Sequence, residues 1–152
     1  MNETLETYDK IAKKYDAEYG NDFTDTPYID AFLENVIGSR ILDIGCGPGN
    51  LSKYIADKGY EVDAIDYSKE MIKIAKSKVD NVNFFEMDMR NINLNKEYNG
   101  IMLAYSLFHI SKAEAKSALA KYYKLLAKGG IMLIILQEGV GAEYVEESLE
   151  NM

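Results

Sequence analysis

Three glycines within five residues, Gly45, Gly47 and Gly49, follow directly on the run Ile41, Leu42, Asp43 and Ile44, and an amphipathic stretch with Leu51, Tyr54 and Ile55 comes after them. An apolar run bounded by Gly and Pro reads as a buried strand, and the three-and-four spacing that follows reads as a helix. The glycines therefore occupy a strand-to-helix turn, where they allow positive φ and let a ligand approach the main chain without meeting a Cβ. In an open α/β sheet this turn, at the carboxyl end of a central strand, is where a nucleotide-like ligand sits. The spacing is G-x-G-x-G, and Asn50 stands where a pyrophosphate-binding G-x-G-x-x-G turn would carry its third glycine. Asp43, a carboxylate in an apolar strand, must find a donor or a cation near the turn. It would repel a pyrophosphate and attract an ammonium or sulfonium. Asp66 ends a second strand about twenty residues after the first glycine, the offset at which an acid can take both hydroxyls of a ribose.

The elements that must position these groups can be read in order. Leu5, Tyr8, Ile11, Ala12, Tyr15 and Tyr19 share one helix face over residues 5–19. Thr26 and Pro27 read as N-cap and first-turn proline of a helix that runs to Gly38. After strand one and the turn, a helix spans about 50–58 and stops at Gly59. Strand two covers 61–65. Ser68 caps a helix carrying Met71, Ile72, Ala75 and Val79. Strand three covers 82–85 and strand four 100–104. Ser111 and Glu114 form a capping box for a helix that runs through Leu125 and Leu126 to Gly129 and Gly130. Strand five covers 131–136, an apolar run suited to a parallel strand covered on both faces. Alternating strands and helices make this an α/β, doubly wound, mostly parallel sheet. Residues 137–152 read as a Gly-containing loop and an acidic helix over 143–150.

The segment from Ile41 to Gly49, with its Asp43, resembles the first motif of the class I S-adenosylmethionine-dependent methyltransferases, and residues 8–16 are similar to the N-terminal helix of small-molecule members. The resemblance implies a Rossmann-like sheet of order 3-2-1-4-5, S-adenosylmethionine as cofactor, and methyl transfer to a small-molecule acceptor by in-line displacement. It assigns the ribose to Asp66 and sets Tyr67 against the adenine. It gives Asp88 the exocyclic amine and the Met89 amide a ring nitrogen, and brings the backbone of Ala104 and Tyr105 to the methionine moiety. Met71 is either near the adenine or plain core. Tyr15 and Tyr19 either lie at the methionine end or only pack their helix. The lone His109 is either a general base, its ordinary pKa being near neutrality, or a cap on its loop. The catalytic candidates are His109 and Tyr105. Family members continue into two more strands, for which this chain has no room, so strand five becomes an open edge that invites a second copy or a partner. The organisation expected is a helical cap over 1–38, a cofactor-binding core over 39–137 and a helical tail over 138–152.

Composition sets limits on the partners. With 152 residues the chain is one domain, and a formal charge of −8 argues against holding a phosphate backbone, which rests on clustered Lys and Arg. Lys112, Lys116, Lys121, Lys124 and Lys128 lie along one helix and read as a solvated face. No apolar run approaches membrane-spanning length and the first residues are polar, which makes a cytoplasmic protein the expectation. One cysteine and one histidine cannot build a Cys/His zinc site, and Cys46, with no base nearby in sequence, reads as a compact turn residue. Two rivals remain open. One is a nicotinamide-dependent oxidoreductase, opposed by the missing third glycine and by Asp43. The other is a noncatalytic S-adenosylmethionine-binding module or a truncated methyltransferase fragment, which the short C-terminus favours.

Overall fold

A computed structural model describes residues 2–20 and 22–136. Its elements are α1 (Asn2–Tyr19), α2 (Thr26–Asn35), β1 (Arg40–Ile44), α3 (Asn50–Asp57), β2 (Glu61–Asp66), α4 (Lys69–Lys78), β3 (Asn83–Glu86), β4 (Tyr98–Ala104), a 3-10 turn (Leu107–His109), α5 (Lys112–Leu125) and β5 (Leu126–Ile135). The five strands form one sheet in the order β3-β2-β1-β4-β5, and every pairing is parallel. This is the Rossmann-like arrangement expected from the sequence, and the expected helix over 143–150 lies outside the described residues.

Period-two alternation in the central strands sends side chains to two cores, as a sheet covered on both faces requires. Leu42, Ile44, Ile101 and Leu103 pack with Ala115, Ala118 and Tyr122 of α5. Ile41, Val62 and Met102 pack with Ile29 and Phe32 of α2 and Ile55 of α3, and Ala64 packs with Ile72 and Ala75 of α4. Among the described residues no helix lies between β3 and β4. Ile92 and Leu94 of that connection pack against the α5 core in place of one.

Both caps expected at Ser68 and Ser111 form: Ser68 Oγ accepts from the Met71 amide, and Ser111 and Glu114 make the reciprocal box. Several boundaries differ, among them the end of α2, which stops at Asn35 rather than Gly38. Thr26 is the first residue of α2 with Asp25 at the cap position, and the Thr26 hydroxyl turns back to the Phe23 carbonyl at 2.9 Å. Strand β4 begins at Tyr98 because that ring is wholly buried and pairs its strand with Leu126. For the same reason α5 ends at Leu125, short of Gly129 and Gly130. Those glycines lie within β5, where the register slips between Tyr98 and Gly100 and Gly129 takes φ +77°.

Helix α1 is outside the sheet and is held to α4 at both ends. Asp9 Oδ1 accepts from Ser68 Oγ at 2.5 Å and from the Glu70 amide at 3.3 Å, which sets a carboxylate at the positive end of the α4 dipole. Asp16 pairs with Lys78 in the last turn of α4. These contacts carry the aromatic face of α1 across the carboxyl ends of β1 and β2.

Candidate functional site

The glycine turn opens as expected for a strand that hands over to a helix. Gly45, Gly47 and Gly49 have φ of +79°, +54° and +85°. Their surroundings differ. A Cβ on Gly45 would run into the Ser106 side chain, and one on Gly49 would come within 2.8 Å of the Phe84 ring and 3.2 Å of Ala75. A Cβ on Gly47 would meet only Tyr15 Cε1, at 3.9 Å. Gly49 thus performs the close packing that a dinucleotide turn gives to the residue at Asn50, whereas Gly47 presents bare backbone to open space. Cys46 is buried beside it, its thiol reaching the Gly47 carbonyl at 3.6 Å, and burial raises its pKa well above the usual thiol value. Among the described residues no base partner accompanies it.

Two connected cavities lie over this turn, sharing Tyr8, Tyr15, Gly45, Gly47, Ala104 and Tyr105 as walls. The smaller is closed by Asp66, Tyr67, Met71, Met87, Met89 and His109. The larger, about 450 Å³, is closed by Tyr19, Asp22, Thr24, Asp25, Asp43 and Cys46 with the start of α3. The crevice sits between the carboxyl ends of β1 and β4, where the chain winds outward in both directions, which is the switch point of such a sheet.

Two carboxylates face it from neighbouring strands. Asp66 Oδ2 accepts from the Gly47 amide at 2.8 Å and Oδ1 from the Ser68 amide at 2.8 Å. Burial raises its pKa while those two amides pull it back. Each oxygen keeps acceptor capacity toward the smaller cavity. Asp43 is 2 % exposed; its Oδ2 accepts from Ser52 Oγ at 2.5 Å, and no donor among the described residues reaches Oδ1. Burial pushes its pKa up to about 7, with the Ser52 bond opposing and the charge of Asp66 adding to the rise.

From the β4 side, Tyr105 holds φ +58°, a strained value for a residue with a Cβ. Its amide donates to Ile135 at 2.9 Å and its hydroxyl to Asp25 Oδ1 at 2.9 Å, so the strained residue ties the sheet end to the α1–α2 connection. Desolvation and the Asp25 carboxylate push its pKa up to about 12. Ser106 Oγ donates to the Ile44 carbonyl at 2.9 Å and locks β4 to β1 beneath the crevice. His109 Nε2 lies 3.1 Å from Tyr8 Oη, and burial pushes the imidazole down to about 4, so it is neutral at ordinary pH.

Of the residues singled out in the sequence, Tyr15, Asp43, Gly45, Cys46, Gly47, Asp66, Tyr67, Met71, Met89, Ala104, Tyr105 and His109 all line one cavity or the other, as does the half-exposed Tyr19. Met71 is also core, at 1 % exposure. Gly49 supports the turn from behind. Asp88 is not brought to a cavity wall. Its carboxylate clamps Arg90 through Nε and Nη2 at 2.7–3.1 Å and takes the Arg90 amide at 2.8 Å, and Arg90 in turn reaches Glu114 of α5 at 3.0 Å. Tyr122 Oη donates to the Met89 carbonyl at 2.5 Å, so α5 braces this loop at a second point. Among the wall residues that the sequence did not single out are Tyr8, Asp22, Thr24 and Asp25. Tyr8 stands two helical turns before Tyr15 on the same face, a spacing that could have marked it; Asp22, Thr24 and Asp25 sit in a connection read only as a helix start. Among the described residues no cluster of His, Cys, Asp or Glu is suited to a metal, and no helix is long and apolar enough to cross a membrane.

Comparisons with known proteins agree with this geometry. The methyltransferase-domain family matches residues 41–130, more than half of the chain. An uncharacterized methyltransferase of Geobacillus sp. (strain WCH70) is 33% identical over 131 residues, which cover 85% of this chain and 62% of that protein. The crystal structure of an S-adenosylmethionine-dependent methyltransferase from Clostridium acetobutylicum ATCC 824 matches with a TM-score of 0.69 at 25% identity, over 84% of this chain and 56% of that one. A magnesium protoporphyrin IX methyltransferase from Synechocystis PCC 6803, with bound SAH, shares the fold at a TM-score of 0.68 and 20% identity, over 82% of this chain and 67% of that one. The chain thus spans less than two thirds of the length of the Geobacillus and Clostridium proteins.

Proposed function

The chain belongs to the methyltransferase-domain family that residues 41–130 match, and from that premise we propose that it binds S-adenosylmethionine in the crevice and transfers the methyl group to a small-molecule acceptor. The observation that carries this reading is the pairing of Asp66 with the Gly47 amide at 2.8 Å: a carboxylate with free acceptor capacity beside backbone that carries no Cβ. The residues fit the compound in kind. Asp66 would accept from the ribose hydroxyls, with Tyr67, Met71 and Met89 forming an apolar slot for the base. The unpartnered Oδ1 of Asp43 suits the amino group, and the bare Gly47 backbone gives the methionine end room. Three glycines in place of a pyrophosphate-binding turn, and two buried carboxylates in place of cations, stand against a nicotinamide dinucleotide.

Bound there, S-adenosylmethionine supplies a methyl group on a sulfonium already activated for displacement. The chain's own contribution is then position and exclusion of water. Tyr105, fixed by Asp25 and by the β5 carbonyl, and Tyr15 on α1 wall the space between the two cavities. His109, neutral and hydrogen-bonded to Tyr8, orients that tyrosine; a base of such low pKa draws little proton density at neutral pH. Asp88 acts through Arg90 in holding the Met87–Met89 loop. In this reading residues 39–137 hold the cofactor, 1–38 close over it, the outer edge of β5 receives a further strand or a second copy, and the protein works in the cytoplasm.

Calorimetric titration with S-adenosylhomocysteine and, separately, with NADH tests the proposal. Saturable binding of the first and none of the second is expected. Binding of NADH alone, or of neither, would overturn it.

A further inference from the structure

Ser68 stands between two carboxylates that belong to different elements. Its amide donates to Asp66 Oδ1 at 2.8 Å and its hydroxyl to Asp9 Oδ1 of α1 at 2.5 Å, while Oγ accepts from the Met71 amide at 3.2 Å. Ser68 is 1 % exposed and lines the smaller cavity together with Asp66, whereas Asp9 lines neither cavity. Burial is the chief cause of the raised Asp66 pKa, and the charge of Asp9 adds to it, so the two acids sense each other across the serine. The cap on α4 needs only a lone pair of Oγ, which Ser68 would offer without Asp9. What Asp9 adds is an acceptor for the hydroxyl proton.

A buried hydroxyl that loses its acceptor turns to another. Asp66 Oδ1, already seated on the amide of the same residue, is its neighbour. A hydroxyl donated there would occupy a lone pair that the proposed function gives to the sugar. Resting on that reading, we infer that Asp9 is a positioning residue for the cofactor: by holding the Ser68 hydroxyl, it keeps the Asp66 carboxylate open to the ribose. Asp9 directly follows Tyr8, which walls both cavities and whose hydroxyl lies 3.1 Å from His109 Nε2. The turn of α1 that covers the crevice therefore also sets the acid within it.

The test titrates the whole chain by calorimetry with S-adenosylhomocysteine and with its 2′,3′-dideoxy analogue, and reads the ratio of the two affinities. In the parent the ratio is expected to be about 100-fold, as two hydrogen bonds to a charged acceptor would give. In Asp9→Ala it falls to about tenfold, one of the two bonds being lost. In Asp9→Asn, which still offers the hydroxyl an oxygen, it stays within about twofold of the parent. In the Asp9→Ala, Ser68→Ala double variant the parent ratio returns, because no hydroxyl remains to compete, while the lost cap weakens both ligands alike. Asp16→Asn, which loosens the other end of α1 at Lys78, also weakens both alike and leaves the ratio unchanged. A merely structural Asp9 would make Asp9→Ala behave as Asp16→Asn does. A parent-like ratio in Asp9→Ala, or a reduced ratio that Ser68→Ala fails to restore, overturns the inference and leaves the proposed function standing. A parent that binds both ligands equally, or that does not bind S-adenosylhomocysteine, removes the ribose role of Asp66, and the inference falls with it.

Discussion

Gly47 and Gly49 offer a contrast that separates binding from folding within one turn. Both have left-handed backbone, so alanine at either costs about 1–2 kcal/mol in backbone strain. There the likeness ends. The new methyl at position 49 would lie 2.8 Å from the Phe84 ring and 3.2 Å from Ala75, between α4 and β3, adding about 1–3 kcal/mol of overpacking. At position 47 the nearest atom is Tyr15 Cε1 at 3.9 Å, so nothing in the fold is displaced, and the methyl stands in the space proposed for the cofactor. At roughly 2–4 °C per kcal/mol for a domain of this size, Gly49→Ala should melt about 2–12 °C below Gly47→Ala. Gly47→Ala should in turn bind S-adenosylhomocysteine at least about tenfold more weakly than the parent, a loss of about 1.4 kcal/mol. Differential scanning fluorimetry and calorimetric titration of the two variants read these effects separately. Equal melting temperatures, or an unaltered affinity in Gly47→Ala, would refute the division of labour assigned to the glycines.

Three further outcomes follow from particular groups. With its pKa near 7 in the free protein, Asp43 is largely protonated at pH 6.5; an ammonium brought beside it favours the ionised form, so S-adenosylhomocysteine binding should release roughly half a proton or more, measured by calorimetry in buffers of different ionisation enthalpy, and Asp43→Asn should release none. The His109 ring should titrate by NMR near pH 4, far below the ordinary value of about 6.5; a midpoint between 6 and 7 would contradict the buried, Tyr8-bonded placement. Tyr98→Phe removes the hydroxyl that donates to buried Asp63 at 2.7 Å and should cost about 1–3 kcal/mol in urea unfolding at pH 7. Donors from Tyr98, Asn83 and Lys96 outweigh burial and hold the Asp63 pKa below its ordinary value, so that carboxylate stabilises the fold above the unfolded pKa near 3.9, and the contribution is lost as pH falls through the folded value; the deficit of Tyr98→Phe should shrink in acid.

What could be read from the chain alone was whatever local chemistry fixes. The glycine turn, the Ser68 cap and the Ser111 box each depend on residues within a few positions of one another, and all three stand where their spacing puts them. The strand order also followed, but through the resemblance rather than from any single segment. What the sequence withheld depends on distant partners. The end of α5 is set by Tyr98, some thirty residues away, whose burial draws Leu126 into β5 despite the helix-compatible run. Asp88 looks the same in sequence whether it faces a ligand or clasps Arg90; Glu114, on another element, completes that clasp. The acids of the α1–α2 connection had no periodicity to mark them, and only their placement against Tyr105 and the glycine turn makes them part of a wall.

The central claim is that Asp66, beside a backbone free of side chains, was shaped to hold a sugar. A crystal structure of the complex with S-adenosylhomocysteine measures this directly. Both ribose hydroxyls should lie within hydrogen-bond distance of the Asp66 carboxylate, about 2.5–3.0 Å, with the Gly47 backbone against the methionine end. A complex in which Asp66 stays bonded only to the Gly47 and Ser68 amides while the sugar lies elsewhere would contradict the account.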